Sequence, residues 1–195
     1  MRNLFKYGGI AASIVLIAFG IGSIAVGAWG VSTVRDNLKQ EQIFFGDHAT
    51  DPAVPASQSG KQVKTGSQAH QFAQMMRKHA LEATGGQVYS QMGRFLDAQG
   101  NPTSDEAKAA KDPKTGTPVE NQARNIWVTE TALTTALNTA YFGERVGVFG
   151  IVMGIALLLT GIGFLVLTLG VLRGPAAVKE KSRTSPVKEA VAVPH

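Results

Sequence analysis

The chain contains no cysteine. Disulfides, thiolate metal sites and a cysteine nucleophile are excluded together, so any exported part must rely on its own core or on partners. It also has no asparagine in an acceptor triplet for N-glycosylation, which favours a bacterial plasma membrane over a eukaryotic secretory route. No P-loop, dinucleotide-binding glycine pattern, nucleophile elbow or HExxH run occurs, so the usual local signatures of an enzyme are missing.

Charge is missing from two long stretches. Residues 146–172, VGVFGIVMGIALLLTGIGFLVLTLGVL, carry none, and neither do residues 8–34, GGIAASIVLIAFGIGSIAVGAWGVSTV. About 20 apolar residues cross a ~30 Å hydrocarbon core, so each stretch is long enough to span with some tilt. Without an ionisable group in either, this chain alone is a poor proton or ion pathway.

Glycine is plentiful, and its spacing is regular. Gly143, Gly147, Gly150, Gly154 and Gly161 fall on one helical face, and Gly9, Ser13, Gly20, Ser23, Gly27 and Gly30 repeat the rhythm in the first span. Small residues at this spacing let helix backbones approach closely, the main route to association where both surfaces are apolar. Two matching seams predict one hairpin, with self-association through the same face as the alternative. Arg2 and Lys6 before the first span also suit a cleaved signal peptide, but the apolar run exceeds the usual ~7 to 15 residues and cleavage would discard the seam. The first span is therefore expected to be retained.

The net charge of +5 is placed at the two ends. Arg2 and Lys6 precede the first span, and Arg173, Lys179, Lys181, Arg183 and Lys188 outnumber Glu180 and Glu189 after the second. Residues 35–145 hold twelve basic and twelve acidic side chains. Flanking Lys and Arg stay cytoplasmic, which predicts both termini inside and residues 35–145 outside. No basic cluster with stacking aromatics suggests nucleic acid.

Beyond the first span, Val34, Leu38 and Phe45 continue an apolar stripe, so the helix is expected to reach about Phe44 and end near Gly46. Residues 47–66, rich in Pro, Ser, Gly and Thr, read as a linker with little to bury. Residues 67–84 form the clearest polar-faced helix, with Ala69, Phe72, Met76 and Ala80 inward and Gly85-Gly86 as a left-handed stop. Its histidines, His70 and His79, are nine residues apart and lie on opposite faces. They cannot ligate one ion together, and His79 has Glu82 as a local partner. Residues 87–97 give only a weak pattern. Thr103-Ser-Asp-Glu106 resembles a capping box opening a short helix to about Lys111, and Thr117-Pro118-Val119-Glu120 opens a second that runs unbroken into the membrane.

Aligning the two long helices with Tyr7 level with Leu172 gives neighbours whose numbers sum to about 179, pairing Arg35 with Glu144 and Asp36 with Arg145. Thr131, Thr135 and Thr139 form a hydroxyl stripe, suited to a partner helix or a polar ligand, or more simply to bonding back to the preceding turn. A concave apolar pocket among Phe72, Met76, Tyr89 and Trp127 would favour ligand sensing, and an exposed apolar or threonine-lined helix face would favour assembly.

The run ARNIWVTETALTTALNT (123–139) leading into Glu144-Arg145 and LLLTGIGFLVLTLG, with MRKHALEATGG (76–86) and the opening FKYGGIAASIVLIAFGIG, resembles a group of small two-span membrane proteins of actinobacteria. The likeness covers most of the chain and implies a two-span membrane protein with no assigned activity. Some members carry a label taken from aromatic ring-opening dioxygenases. Such chemistry with a two-His-one-carboxylate iron site needs convergent histidines, and His48, His70 and His79 do not supply them.

The expected fold is all-α, a two-helix transmembrane hairpin with a small, mostly helical extracytoplasmic domain. Its parts are a cytoplasmic N-terminus (1–7), transmembrane helices at 8–34 and 146–172, an extracytoplasmic domain at 35–145 with a linker at 47–66, and a disordered basic cytoplasmic tail at 173–195. No residue is assigned a catalytic, cofactor-binding or metal-binding role, and no cofactor is expected. The expected partners are the lipid bilayer and other membrane proteins or a second copy, not nucleic acid. The expected function is non-enzymatic, an accessory, scaffolding or assembly component of a larger membrane complex, with a ligand-binding or envelope-sensing module as the alternative.

Overall fold

The structure, a computed structural model, describes residues 2–172. The basic tail at 173–195 lies outside the described residues. The chain is mostly helical: α1 (Arg2–Gln40), α2 (Gly66–Ala83) and α3 (Gln122–Leu172), with the two-residue strands β1 (Phe95–Leu96) and β2 (Pro102–Thr103) between α2 and α3. Both α1 and α3 are long and apolar enough to cross a membrane.

The two long helices pack antiparallel along the small-residue seam. A Cβ on Gly154 would lie 2.7 Å from the Gly20 carbonyl oxygen, and one on Gly27 would lie 2.6 Å from that of Gly147. Only glycine allows this approach. Ser23 adds a bond between the helices, its hydroxyl donating to the Gly150 carbonyl at 2.8 Å. Gly30, expected on the seam, faces open space, as do Gly22 and Gly163. Gly9 meets Thr168 and Gly143 meets Val34; the facing numbers sum to 177 there and to 173 at Ser23–Gly150, a few below the expected 179.

That offset keeps one of the expected ion pairs and removes the other. Arg35 reaches Glu144 at 2.8 Å. Asp36 instead pairs with Lys39 at 2.8 Å on its own helix, and Arg145 donates to the Ser67 hydroxyl at 3.1 Å. Glu144 is buried, and its second oxygen accepts the backbone N–H of Gly66 in the first turn of α2. A helix N-terminus presents free N–H groups and a partial positive charge, so a carboxylate is favoured there. One side chain thereby joins all three helices.

Above this junction, α2 lies against α3 and closes a core of Leu38, Phe45, Val54, Val63, Phe72 and Leu137. Phe45 meets Phe72 edge to face at 5.2 Å. Thr65 caps α2, its hydroxyl accepting from the Gln68 N–H at 3.2 Å. At the other end Gly85 and Gly86 take positive φ of 62° and 79°. The Gly86 N–H returns to the Leu81 carbonyl and that of Gly85 to Glu82, the paired bonds that close a helix with glycine in the left-handed region.

Four local expectations are corrected. Helix α1 stops at Gln40, four residues early, because Gln42 turns at φ 51° and Phe44 pairs in extended form with Gln62. The segment at 47–66 does bury side chains: Val54 and Val63 are among the most enclosed in the protein. Residues 103–111 are not helical, since Ala109 bridges Asp97 and the Ala110 N–H donates to the Leu96 carbonyl. The Thr117 cap is unused as well. Val119 exchanges backbone bonds with Ala110 and Leu96, and α3 starts at Gln122 behind Asn121, whose side-chain oxygen accepts from the Ala123 N–H at 3.1 Å.

Candidate functional site

Helix α3 carries two acidic groups between Arg124 and Arg145, and both are turned inward. Glu130 is 3% exposed and Glu144 9%. The outward side of this half of α3 therefore shows no charge over twenty residues, about 30 Å of helix. It presents Val128, Thr131, Ala132, Thr135, Ala136 and Phe142, all exposed. Several threonine hydroxyls here turn back on their own helix, Thr139 to the Thr135 carbonyl at 2.8 Å and Thr129 to that of Asn125 at 3.0 Å. With those hydroxyls occupied, the face is less polar than its composition suggests.

Phe72, Met76, Tyr89 and Trp127 do not enclose one pocket. Phe72 sits in the main core, whereas Trp127 packs with Ala80 and Met92. Arg77 places its guanidinium carbon 3.9 Å from the Trp127 ring centroid. Tyr89 is exposed, with the Arg124 guanidinium stacked over its ring. A different apolar groove, of about 540 Å³, runs between α1 and α3 just above the Arg35–Glu144 pair, lined by Val34, Leu38, Ile43, Leu133, Leu137 and Ala140 among others. A smaller cleft of about 430 Å³ opens between α2 and α3 beside Glu130.

The histidines are engaged separately. His48 contacts the Val54 carbonyl through Nδ1 at 2.6 Å. His70 meets the Asn138 side-chain oxygen at 2.8 Å and stacks on Tyr141. His79 pairs with Asp51 at 2.9 Å rather than with Glu82. Asp51 is held below the usual carboxylate range, first by the Ala53 N–H and then by His79. Among the described residues, no three His, Asp or Glu side chains gather closely enough to hold a metal ion.

No family model matches the chain, and neither a curated protein nor a solved structure matches it. Sequence reasoning passed over Glu130. The signal was present: it is a lone carboxylate inside a run of Thr, Ala and Leu, spaced fourteen residues before Glu144, close to four helical turns and so on the same inward side.

Proposed function

We propose that the protein is an integral plasma-membrane protein whose helices α1 and α3 cross the bilayer as a hairpin. Both termini are cytoplasmic and residues 35–145 are extracytoplasmic. Its role is non-enzymatic, as an accessory, scaffolding or assembly component of a larger membrane complex. Lys and Arg at the two ends supply the orientation. The observation that carries the role is the charge-free outward face of α3 above the span. Water-facing helices ordinarily carry charge on that side, and an uncharged apolar face marks contact with another protein. The partner is a membrane protein whose own helix rises beside α3, because the face continues without a break into the lipid-facing surface of the span.

The test is purification of tagged protein from its native membrane in mild detergent, with mass spectrometry of co-purifying proteins against an unrelated two-span control. One defined complex in stable proportion is expected for the native chain, and its loss for Val128→Glu combined with Thr135→Lys. Both positions are exposed, so folding is spared. Recovery of the protein alone removes the basis for the reading. A second reading, ligand or envelope sensing, draws on the groove between α1 and α3, where a bound apolar molecule would wedge the hairpin at its upper end.

A further inference from the structure

Two cavities lie end to end along one side of the α1–α3 hairpin. The upper is the groove of about 540 Å³ above the Arg35–Glu144 pair, lined in part by Leu38 and Leu137 of the main core. The lower, of about 300 Å³, is lined by Val26, Gly27, Trp29, Gly30, Val146 and Gly147 among others. Gly143 lines both. On α1 the lining residues Gly30, Val34, Asn37 and Glu41 are spaced four, three and four apart, and on α3 Ala136, Thr139, Gly143 and Val146 are spaced three, four and three. Such spacing holds to one helix face, so the two cavities form one furrow. Gly30 has nothing within 4 Å of an added Cβ, which leaves the furrow open at that level.

Given the membrane placement proposed above, on which this site depends, the lower cavity faces the hydrocarbon of the outer leaflet and the upper one stands beyond it, in water. An apolar groove open to water is unfavourable until something apolar fills it. Its polar lining residues, Asn37, Glu41 and Thr139, are all exposed and stand at the rim, with the Thr139 hydroxyl turned back to the Thr135 carbonyl. The interior therefore asks for no polar group. A helix is too thick, because ten residues at a diameter of about 10 Å fill about 1,200 Å³, more than twice the groove. A single hydrocarbon chain fits. From Gly143 to Leu133 the groove follows ten residues of α3, about 15 Å, which is the depth of one leaflet of a ~30 Å core.

We propose that this furrow carries the hydrocarbon chain of a single-chain lipid from the outer leaflet up to the exported domain. The chain keeps apolar contact throughout its rise, passing from Trp29 and Val146 to Val34 and Ala140 and ending against Leu38 and Leu137. Its head group stays in water at the rim. A two-chain lipid is disfavoured, since the groove takes one chain and the second would be left in water.

The test uses the full chain in phosphatidylcholine nanodiscs doped with a lysophosphatidylcholine that carries a mid-chain diazirine or, separately, with a two-chain phosphatidylcholine carrying the same group. Photo-adducts are mapped by mass spectrometry. Both probes are expected to label the exposed span residues Phe164 and Val166. The single-chain probe alone is expected to label 34–43 and 133–140 as well, and excess unlabelled lysophosphatidylcholine should suppress those adducts while sparing the span. Ala136→Phe, at an exposed position on the groove wall, should abolish the groove adducts and leave the span adducts unchanged. Span adducts without groove adducts, groove adducts that resist competition or survive Ala136→Phe, or equal groove labelling by the two-chain probe would overturn the site. Absence of span adducts would instead overturn the membrane placement, and the site with it. Unlabelled groove residues in a chain that native mass spectrometry shows to be dimeric would give the groove to a second copy.

Discussion

The seam between α1 and α3 separates two kinds of glycine within the same helices, and alanine substitution should separate them in energy. At Gly154 the added carbon would stand 2.7 Å from the Gly20 oxygen and 2.8 Å from the Ile24 nitrogen. Both partners are backbone and cannot swing aside. Reaching an ordinary contact of 3.4 Å means opening the helices locally by roughly 0.7 Å, and a gap of that size forfeits about a quarter to a half of each dispersion contact around it. Overpacking of this kind costs about 1 to 3 kcal/mol. Gly22 and Gly163 have nothing within 4 Å of an added Cβ, and there alanine should gain about 0.5 to 1 kcal/mol from a less flexible helix. Gly154→Ala and Gly163→Ala should therefore differ by about 2 kcal/mol, nearly thirtyfold in an equilibrium constant. Reversible denaturation of the four single variants, including Gly20→Ala and Gly22→Ala, in one bilayer mimic measures this. Equal shifts for seam and open positions would refute close backbone approach as the basis of the pairing.

Three further outcomes follow from the geometry. Glu144→Ala should cost about 1 to 3 kcal/mol, because it strands the buried Gly66 N–H, while Arg35, 45% exposed, is left to water; exchanging Arg35 and Glu144 should not restore the loss, since an arginine at 144 would direct a cation at the start of α2, and full recovery by thermal denaturation would contradict the three-helix junction. Trp127→Ala should cost about 3 to 5 kcal/mol at a 5% exposed site and expose residues 92–121 to limited proteolysis, with an unchanged cleavage pattern counting against the Trp127–Met92 contact. Asp97 accepts the Asn101 N–H at 2.7 Å and that of Gln99 at 2.9 Å, and these bonds, that of Asn101 foremost, hold its carboxyl below the ordinary 3.8. A carboxylate whose pKa falls on folding stabilises the turn above its ordinary value and loses that effect as pH drops through the lowered one. Hydrogen-exchange protection of the Asn101 amide should hold down to about pH 4 and fail below it; failure between pH 7 and 5 would point to another group.

Local chemistry made part of the fold readable in advance. Apolar length and the spacing of small residues mark the long helices and their seam, and Gly85-Gly86 marks the end of α2, since each feature acts within a few residues of itself. The Arg35–Glu144 pair was also accessible, as a long arginine side chain tolerates an error of a few residues in register. What escaped is held by distant partners. Thr117-Pro118-Val119-Glu120 has every local trait of a helix start, but the Val119 N–H finds the Ala110 carbonyl and its oxygen the Leu96 N–H, and those bonds outweigh a cap. Val54 and Val63 look like linker residues until the segment folds back on α2. At the candidate site, the uncharged outer face of α3 was visible as its threonine and alanine repeat. The unpartnered Oε1 of buried Glu130 was not, because a missing donor exists only once neighbouring side chains are in place.

Helix α3 contains no proline from Gln122 to Leu172 and is fixed by a carboxylate part-way along. From Gln122 to Glu144 the helix rises about 33 Å, and from Glu144 to Leu172 about 42 Å. The shorter upper part carries α2, and the longer lower part is paired with α1 along the seam. Because the lower part is laid against α1 at Gly147, Gly154 and Gly161, a sideways load on the upper part is carried by both long helices together rather than by α3 alone.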